Sequence, residues 1–253
     1  MGAAVAAAPG FGPLAARFHD TAPHAGGEEL AVFLRHATGE TTLALDAMCG
    51  TGRVLVPCLA QGAKLHGVDQ SQAMLARCEA NVAASARAAA LFRQDVAQLN
   101  LPFRYGCAFV AGGALQLITD PAAVHAALTR VRAHLVPPGT LLLDCRIPGS
   151  DRQRLAAPLV EVRTVKLADG SQIARRSETT WTPEARLARA HHRYTHRRGN
   201  DRIGEEHETI ASTWYEREEI AEVVRAAGYA DVTIEPWPAE PVEGDAFLVL
   251  ARA

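Results

Sequence analysis

Two carboxylates and a pair of glycines, set at the ends of two apolar runs, are the groups in this 253-residue chain best placed to do chemistry. Leu43-Ala44-Leu45 has the length of a buried parallel strand, and Asp46 closes it. Met48-Cys49-Gly50-Thr51-Gly52 follows, where Gly50 and Gly52 let the backbone turn sharply and approach a ligand closely. Residues 53–60 read as a helix stopped by Gly62, and residues 65–68 as a second strand ending in Asp69. An acid at that point offers its carboxylate to the two hydroxyls of a ribose. A dinucleotide loop needs a third glycine at position 55, which is Leu. A phosphate loop needs Gly-Lys-Ser/Thr, whereas Gly52 is followed by Arg53-Val54. What remains is a loop suited to a nucleoside without phosphates.

The stretch DAMCGTG, followed by HGVDQSQAML, closely resembles the first two motifs of the class I S-adenosylmethionine-dependent methyltransferases. The resemblance implies that Gly50 and Gly52 pass the methionine part of S-adenosylmethionine and that Asp69 holds both ribose hydroxyls. It gives Asp95, in Gln94-Asp95-Val96 after the third strand, the adenine amino group. Asp46, Met48, Cys49, Gln70, Met74, Val96 and Gly112 join these as expected cofactor neighbours.

The elements that must position these residues follow from the patterning. Residues 28–36 read as a short helix ended by Gly39, Ser71 as the N-cap of a helix to about Val82, and residues 89–93 as the third strand. A fourth strand, 106–110, ends in Ala111-Gly112-Gly113, a strand end where open α/β sheets bind ligands. Asp120-Pro121 starts a helix carrying Val124, Leu128, Val131 and Leu135 on one face, stopped by Pro137-Pro138-Gly139 before a fifth strand at 140–145. A helix at 216–227 and strands at 232–234 and 247–250 close the chain. The expected fold is a Rossmann-like α/β sheet of seven strands in the order 3-2-1-4-5-7-6, with only the seventh antiparallel. Residues 14–150 and 214–253 form that core, and residues 1–13, rich in Ala, Gly and Pro, are expected to be disordered.

Residues 151–213 read differently. Segments 160–166, 172–181, 186–197 and 204–213 are rich in β-formers and separated by turn signals, which predicts an inserted four-stranded antiparallel sheet. Ala188, Ala190, His192, Tyr194 and His196 fall on one of its faces. His192 and His196 are four apart on a strand, roughly 13 Å, too far to share a metal ion unaided, so no metal is expected. The resemblance, which extends to small-molecule N-methyltransferases acting on amino sugars, gives such a sheet two uses: covering the acceptor or forming a homodimer.

A sulfonium methyl is already activated, so the protein has mainly to hold the acceptor in line with it. His19, Gln116 and His192 are the candidate catalytic groups, and Asp20, Arg146, Tyr194 and Trp214 the candidate acceptor contacts. The fourth strand ends without the Asn/Asp-Pro-Pro-aromatic run of amine-methylating enzymes that act on bases or amides. A net charge of −2 and the lack of a basic tail speak against nucleic acid. No stretch has the length and apolarity of a membrane span. Five cysteines without a C-x-x-C, and an N-terminus without signal-peptide features, make a cytoplasmic location the expectation. Two rivals stay open: a cofactor-binding protein without catalysis, and a methyltransferase acting on RNA or protein.

Overall fold

The computed structural model describes residues 11–38, 43–148, 158–238 and 245–253. Strands β1 (Leu43–Ala47), β2 (Lys64–Asp69), β3 (Ala90–Arg93), β4 (Tyr105–Val110), β5 (Leu135–Ile147), β10 (Ala230–Pro236) and β11 (Asp245–Arg252) form one sheet. Its order is β3-β2-β1-β4-β5-β11-β10, the expected 3-2-1-4-5-7-6, and β11 runs antiparallel to both of its neighbours. β1 pairs with β2 and β4 in the middle, so its carboxyl end opens at the centre of one sheet edge.

Burial on both faces explains why these strands read as continuous apolar runs. Ala44, Cys107, Phe109 and Leu142 point to one side, against α2 (Gly27–Ala37), α3 (Leu55–Ala60) and α4 (Gln72–Ala84). Leu45, Ala108, Val110, Leu141 and Leu143 point to the other, against α5 (Pro121–Ala133) and α6 (Arg217–Ala226). The N-caps follow local chemistry. Ser71 Oγ accepts from Met74 N at 3.1 Å, Asp120 Oδ1 from Ala122 N at 3.2 Å, and Glu216 forms a capping box with Glu219.

Two boundaries depart from expectation. α3 starts at Leu55, because residues 50–54 are spent in turns around the left-handed Gly50 and Gly52. α5 is closed by His134 before the prolines are reached, and Pro137-Pro138-Gly139 lie within β5. His134 Nδ1 donates to Arg130 O at 2.8 Å and its Nε2 accepts from Leu101 N at 2.9 Å, a pairing that fixes the tautomer.

The insertion forms a second sheet, β6 (Leu159–Lys166), β7 (Gln172–Thr182), β8 (Leu187–Arg198) and β9 (Asp201–Thr213), each strand antiparallel to the next. Residues 151–157 at its start lie outside the described residues. Of the stretch expected to be disordered, residues 1–10 also lie outside them, whereas Pro13 begins α1 (Pro13–His19). α1 is held between the inserted sheet and α4. Leu14 N and Ala15 N donate to the Glu206 carboxylate at 2.9 and 3.0 Å, and Phe18 packs edge-on to Tyr194. On the core side, Asp20 accepts from both Nε and a terminal nitrogen of Arg77 and from Asn81 Nδ2 at 2.5 Å.

Asp20 is therefore a fastener between α1 and α4, a correction to its expected place among the acceptor contacts. Asp20→Ala should lower unfolding stability in urea by about 1–3 kcal/mol, toward the low side because Arg77 is partly exposed. An unchanged midpoint would contradict this role.

Candidate functional site

The loop after β1 is built around one carboxylate. Asp69 Oδ2 accepts from Gly50 N at 2.9 Å and Oδ1 from Ser71 N at 2.8 Å. Met48 is left-handed at φ 68°, a strained conformation for a residue with a side chain and one that clusters at ligand sites. The two loop glycines serve different ends. A Cβ on Gly50 would meet nothing within 4 Å, so the backbone there borders open space. A Cβ on Gly52 would lie 2.9 Å from Cys78 Sγ, so Gly52 seats the loop on α4.

A cavity of about 340 Å³ opens beside this loop, inside the range of about 300–1,000 Å³ usual for small-molecule sites. Asp46, Met48, Cys49, Gly50, Asp69, Gln70, Met74, Asp95, Val96 and Gly112 line it, so the structure brings together every expected cofactor neighbour except Gly52. Asp95 caps the short turn 96–98 through Ala97 N at 2.9 Å. Gly112 is left-handed and, like Gly50, has open space where a Cβ would stand. Leu55 replaces the missing third glycine, and the close packing that glycine would permit is supplied from the opposite side. A Cβ on Gly67 of β2 would fall 2.8 Å from Leu55 Cδ1 and 2.9 Å from Cys49 Sγ.

Sequence reasoning missed several groups here. Arg53 lines the cavity and is held by Glu29 through paired bonds of 3.0 and 2.7 Å. Asp144, 1% exposed on β5, accepts from Gly112 N at 2.6 Å and so fixes the second glycine turn. Phe11 and Ile210, from the N-terminal segment and the inserted sheet, also line the cavity. The alternation along β9 was the available signal for Ile210; for Arg53 the sequence offered only its place after Gly52.

The acceptor-side expectations fare less well. His19 lines the cavity. Gln116 does not reach it: its Nε2 donates to Arg146 O at 2.8 Å and Thr213 O at 3.0 Å, and its Oε1 accepts from Arg146 N at 2.8 Å. The amide is used up in joining the ends of β5 and β9, which corrects the catalytic expectation. Trp214 is buried in the core of the main sheet, and Tyr194 donates to Glu208 Oε1 at 2.6 Å while packing on α1. Neither lines the cavity, so both are corrected as direct contacts. Arg146 stands 3.8 Å from Asp144 Oδ2, off the cavity wall. His192 is buried on the inner face of the inserted sheet, behind that wall. His196 Nε2 is paired with Ser171 Oγ at 2.7 Å, and no metal-binding cluster occurs among the described residues.

Burial governs the charges. It pushes Asp46 up to about 8, against the pull of Arg53 and with help from Asp69 and Asp144. Asp69 and Asp144 are raised by burial too. A carboxyl raised in the folded state gives stability that is complete below its unfolded pKa and is lost as pH climbs toward the folded one. Asp46→Asn should therefore gain stability relative to the parent between pH 5 and 8, approaching about tenfold per pH unit in the unfolding constant. Parallel pH profiles for the two proteins would show Asp46 ionised throughout.

Residues 44–139 match a methyltransferase domain family. No curated protein matches the chain. Among solved structures, the CcbJ methyltransferase of Streptomyces caelestis is similar at 23% identity, with 96% of this chain and 98% of that one covered and a TM-score of 0.73. CalS10, an amino pentose methyltransferase of Micromonospora echinaspora solved with S-adenosylmethionine bound, is similar at 22% identity, covering 94% and 92%, with a TM-score of 0.65. The sugar N-methyltransferase KedS8 of a Streptoalloteichus species is similar at 18% identity, covering 88% and 84%, with a TM-score of 0.69. Residues 44–139 therefore match a methyltransferase domain, and the chain shares the Rossmann-like fold of these solved methyltransferases.

Proposed function

We propose that this protein transfers the methyl group of S-adenosylmethionine to a nitrogen or oxygen of a small polar acceptor. The observation that carries the reading is Asp69: both carboxylate oxygens are pinned by backbone N–H groups at the cavity wall, with a second lone pair on each left to accept from the vicinal hydroxyls of a ribose. The residues present fit the cofactor. Gly50 and Gly112 leave room for it at two backbone turns, Asp95 stands at the wall for an adenine amino group, and the loop from Met48 to Gly50 borders the methionine end. When bound, the cofactor supplies a methyl on a positively charged sulfur, ready for in-line attack. The work of this chain is to orient the acceptor, keep water out and receive a proton.

His19 is the group we assign to the proton, because it lines the cavity from α1. Burial lowers it to about 4, helped by Arg175 and Arg163, so it is a neutral imidazole at pH 7. The small-molecule reading is supported by the solved relatives named as amino pentose and sugar N-methyltransferases, which match this chain through the insertion as well as the core. The net charge of −2 supports it over a nucleic-acid substrate. Two further statements belong to the same proposal. The five cysteines are free and buried, as suits a reducing cytoplasm, and the exposed β6, with Val160 and Val162, is where a second copy would pair.

Titration with S-adenosylhomocysteine tests the assignment. Asp69→Ala loses two charge-assisted hydrogen bonds of about 1.5–3 kcal/mol each, so its Kd should rise about a hundredfold or more. Asp95→Ala loses one bond and should fall well short of that. Equal dissociation constants for the two variants would sink the ribose assignment. Release of S-adenosylhomocysteine in the presence of a metabolite panel separates an enzyme from a protein that only binds the cofactor.

A further inference from the structure

All five cysteines are free, and of these Cys49 alone lines the cavity. Its thiol is hydrogen-bonded to that of Cys78 on α4. The two sulfurs occupy spaces that glycines leave open. A Cβ on Gly67 of β2 would lie 2.9 Å from Cys49 Sγ, and one on Gly52 would lie 2.9 Å from Cys78 Sγ. The pair therefore joins the loop after β1 to α4, with one sulfur at the cavity wall and the other, 0% exposed, behind it. Cys58, Cys107 and Cys145 are buried in the core and do not line the cavity.

Two thiols in contact could hold a soft metal ion or close into a disulfide, and the surroundings favour the second. The hydrogen bond with Cys78, then burial, then the carboxyl groups of Asp46 and Asp69 raise the Cys49 thiol well above its ordinary value. Two thiolates on a monovalent metal ion would add negative charge beside those two acids. A disulfide adds none. The loop also has room to follow. Met48 and Gly50 are left-handed, and a Cβ on Gly50 would meet nothing within 4 Å. A covalent bond is shorter than a hydrogen-bonded contact, so closing it draws Cys49 toward α4. The next residue is Gly50, whose N–H is held at 2.9 Å by Asp69 Oδ2.

We propose that Cys49 and Cys78 are a redox pair: a small disulfide entering the cavity links them to each other, and the linked loop no longer receives the cofactor. The second clause rests on the methyl-transfer reading above; the link itself does not. Cys49, on the wall, loses its proton and attacks one sulfur of the reagent, and the other sulfur leaves as a thiol. Cys78, buried behind Cys49, is the resolving partner. It loses its proton and displaces the second reagent thiol from Cys49. Two protein S–H bonds and the reagent S–S bond break, while one protein S–S bond and two reagent S–H bonds form. The protein gives two electrons and the reagent takes them. The raised Cys49 thiol makes the first step slow at neutral pH. The pair accordingly stays reduced where small thiols outnumber small disulfides and closes when that balance reverses.

The test treats the reduced full chain with the disulfide of mercaptoethanol, then applies peptide mapping and titration with S-adenosylhomocysteine. The parent should gain a Cys49–Cys78 link with no reagent retained. Its Kd should rise at least tenfold and return to within twofold of the start after dithiothreitol. Cys78→Ala should bind S-adenosylhomocysteine within twofold of the parent before treatment, and afterwards should keep one mercaptoethanol on Cys49. Saturating the parent with S-adenosylhomocysteine beforehand should slow the link at least tenfold, a measurement that decides the matter should Cys78→Ala fail to fold. The proposal is overturned by no link, by a link between other cysteines, or by a linked protein that binds within twofold of the reduced one. Linking at an unchanged rate in the saturated protein, or reagent kept elsewhere than on Cys49 in Cys78→Ala, also overturns it. Failure of the reduced parent to bind S-adenosylhomocysteine would count against the methyl-transfer reading, a result distinct from absence of the link, which is read without the nucleoside.

Discussion

The Asp69 carboxylate is the constraint on which the site depends. Its bonds to Gly50 N and Ser71 N tie the loop after β1 to the end of β2 and the start of α4. Ser71 extends the chain of support: its hydroxyl caps α4 at Met74 and donates to Phe11 O at 2.8 Å. The segment entering α1 is thus fastened to the residue two places from Asp69. Removing the carboxylate would free a strained loop and loosen the N-terminal cover together.

A second set of contacts brings the inserted sheet to the same place. Glu206 holds the start of α1, Asp20 holds its end to α4, and Gln116 clamps the exit of β9 to the end of β5. The sheet is accordingly part of the cavity, with Ile210 on its wall. The glycine loop and acids of the cavity come from the core, and its cover comes from α1 and β9. Under the proposed function, cofactor and acceptor would share this boundary, as in-line transfer between two bound molecules requires.

The parts of this design written in local pattern were legible in the sequence. The strand order and the four inserted strands follow from alternation, turn residues and spacing, and they stand where those signals put them; the glycine loop and Asp69 were marked by spacing and Asp95 by the resemblance, and all of them border one cavity except Gly52. The illegible parts are pairings across long separations. Nothing near Asp20 announces Arg77, 57 residues away, and nothing near Gln116 announces Thr213 O, 97 residues away. Trp214, expected near the cleft as an aromatic group, lies where the chain has already returned to the core. Gly67 was passed over because its value lies in what a side chain would strike on α3 and β3.

The most direct measurement is a crystal structure of the protein with S-adenosylhomocysteine bound. The account predicts both ribose hydroxyls on the Asp69 carboxylate, the adenine against Asp95 and Val96, and the homocysteine end running past Met48–Gly50, with His19 and Ile210 facing the sulfur side. A nucleoside bound elsewhere, or a ribose in contact with residues other than Asp69, would contradict it.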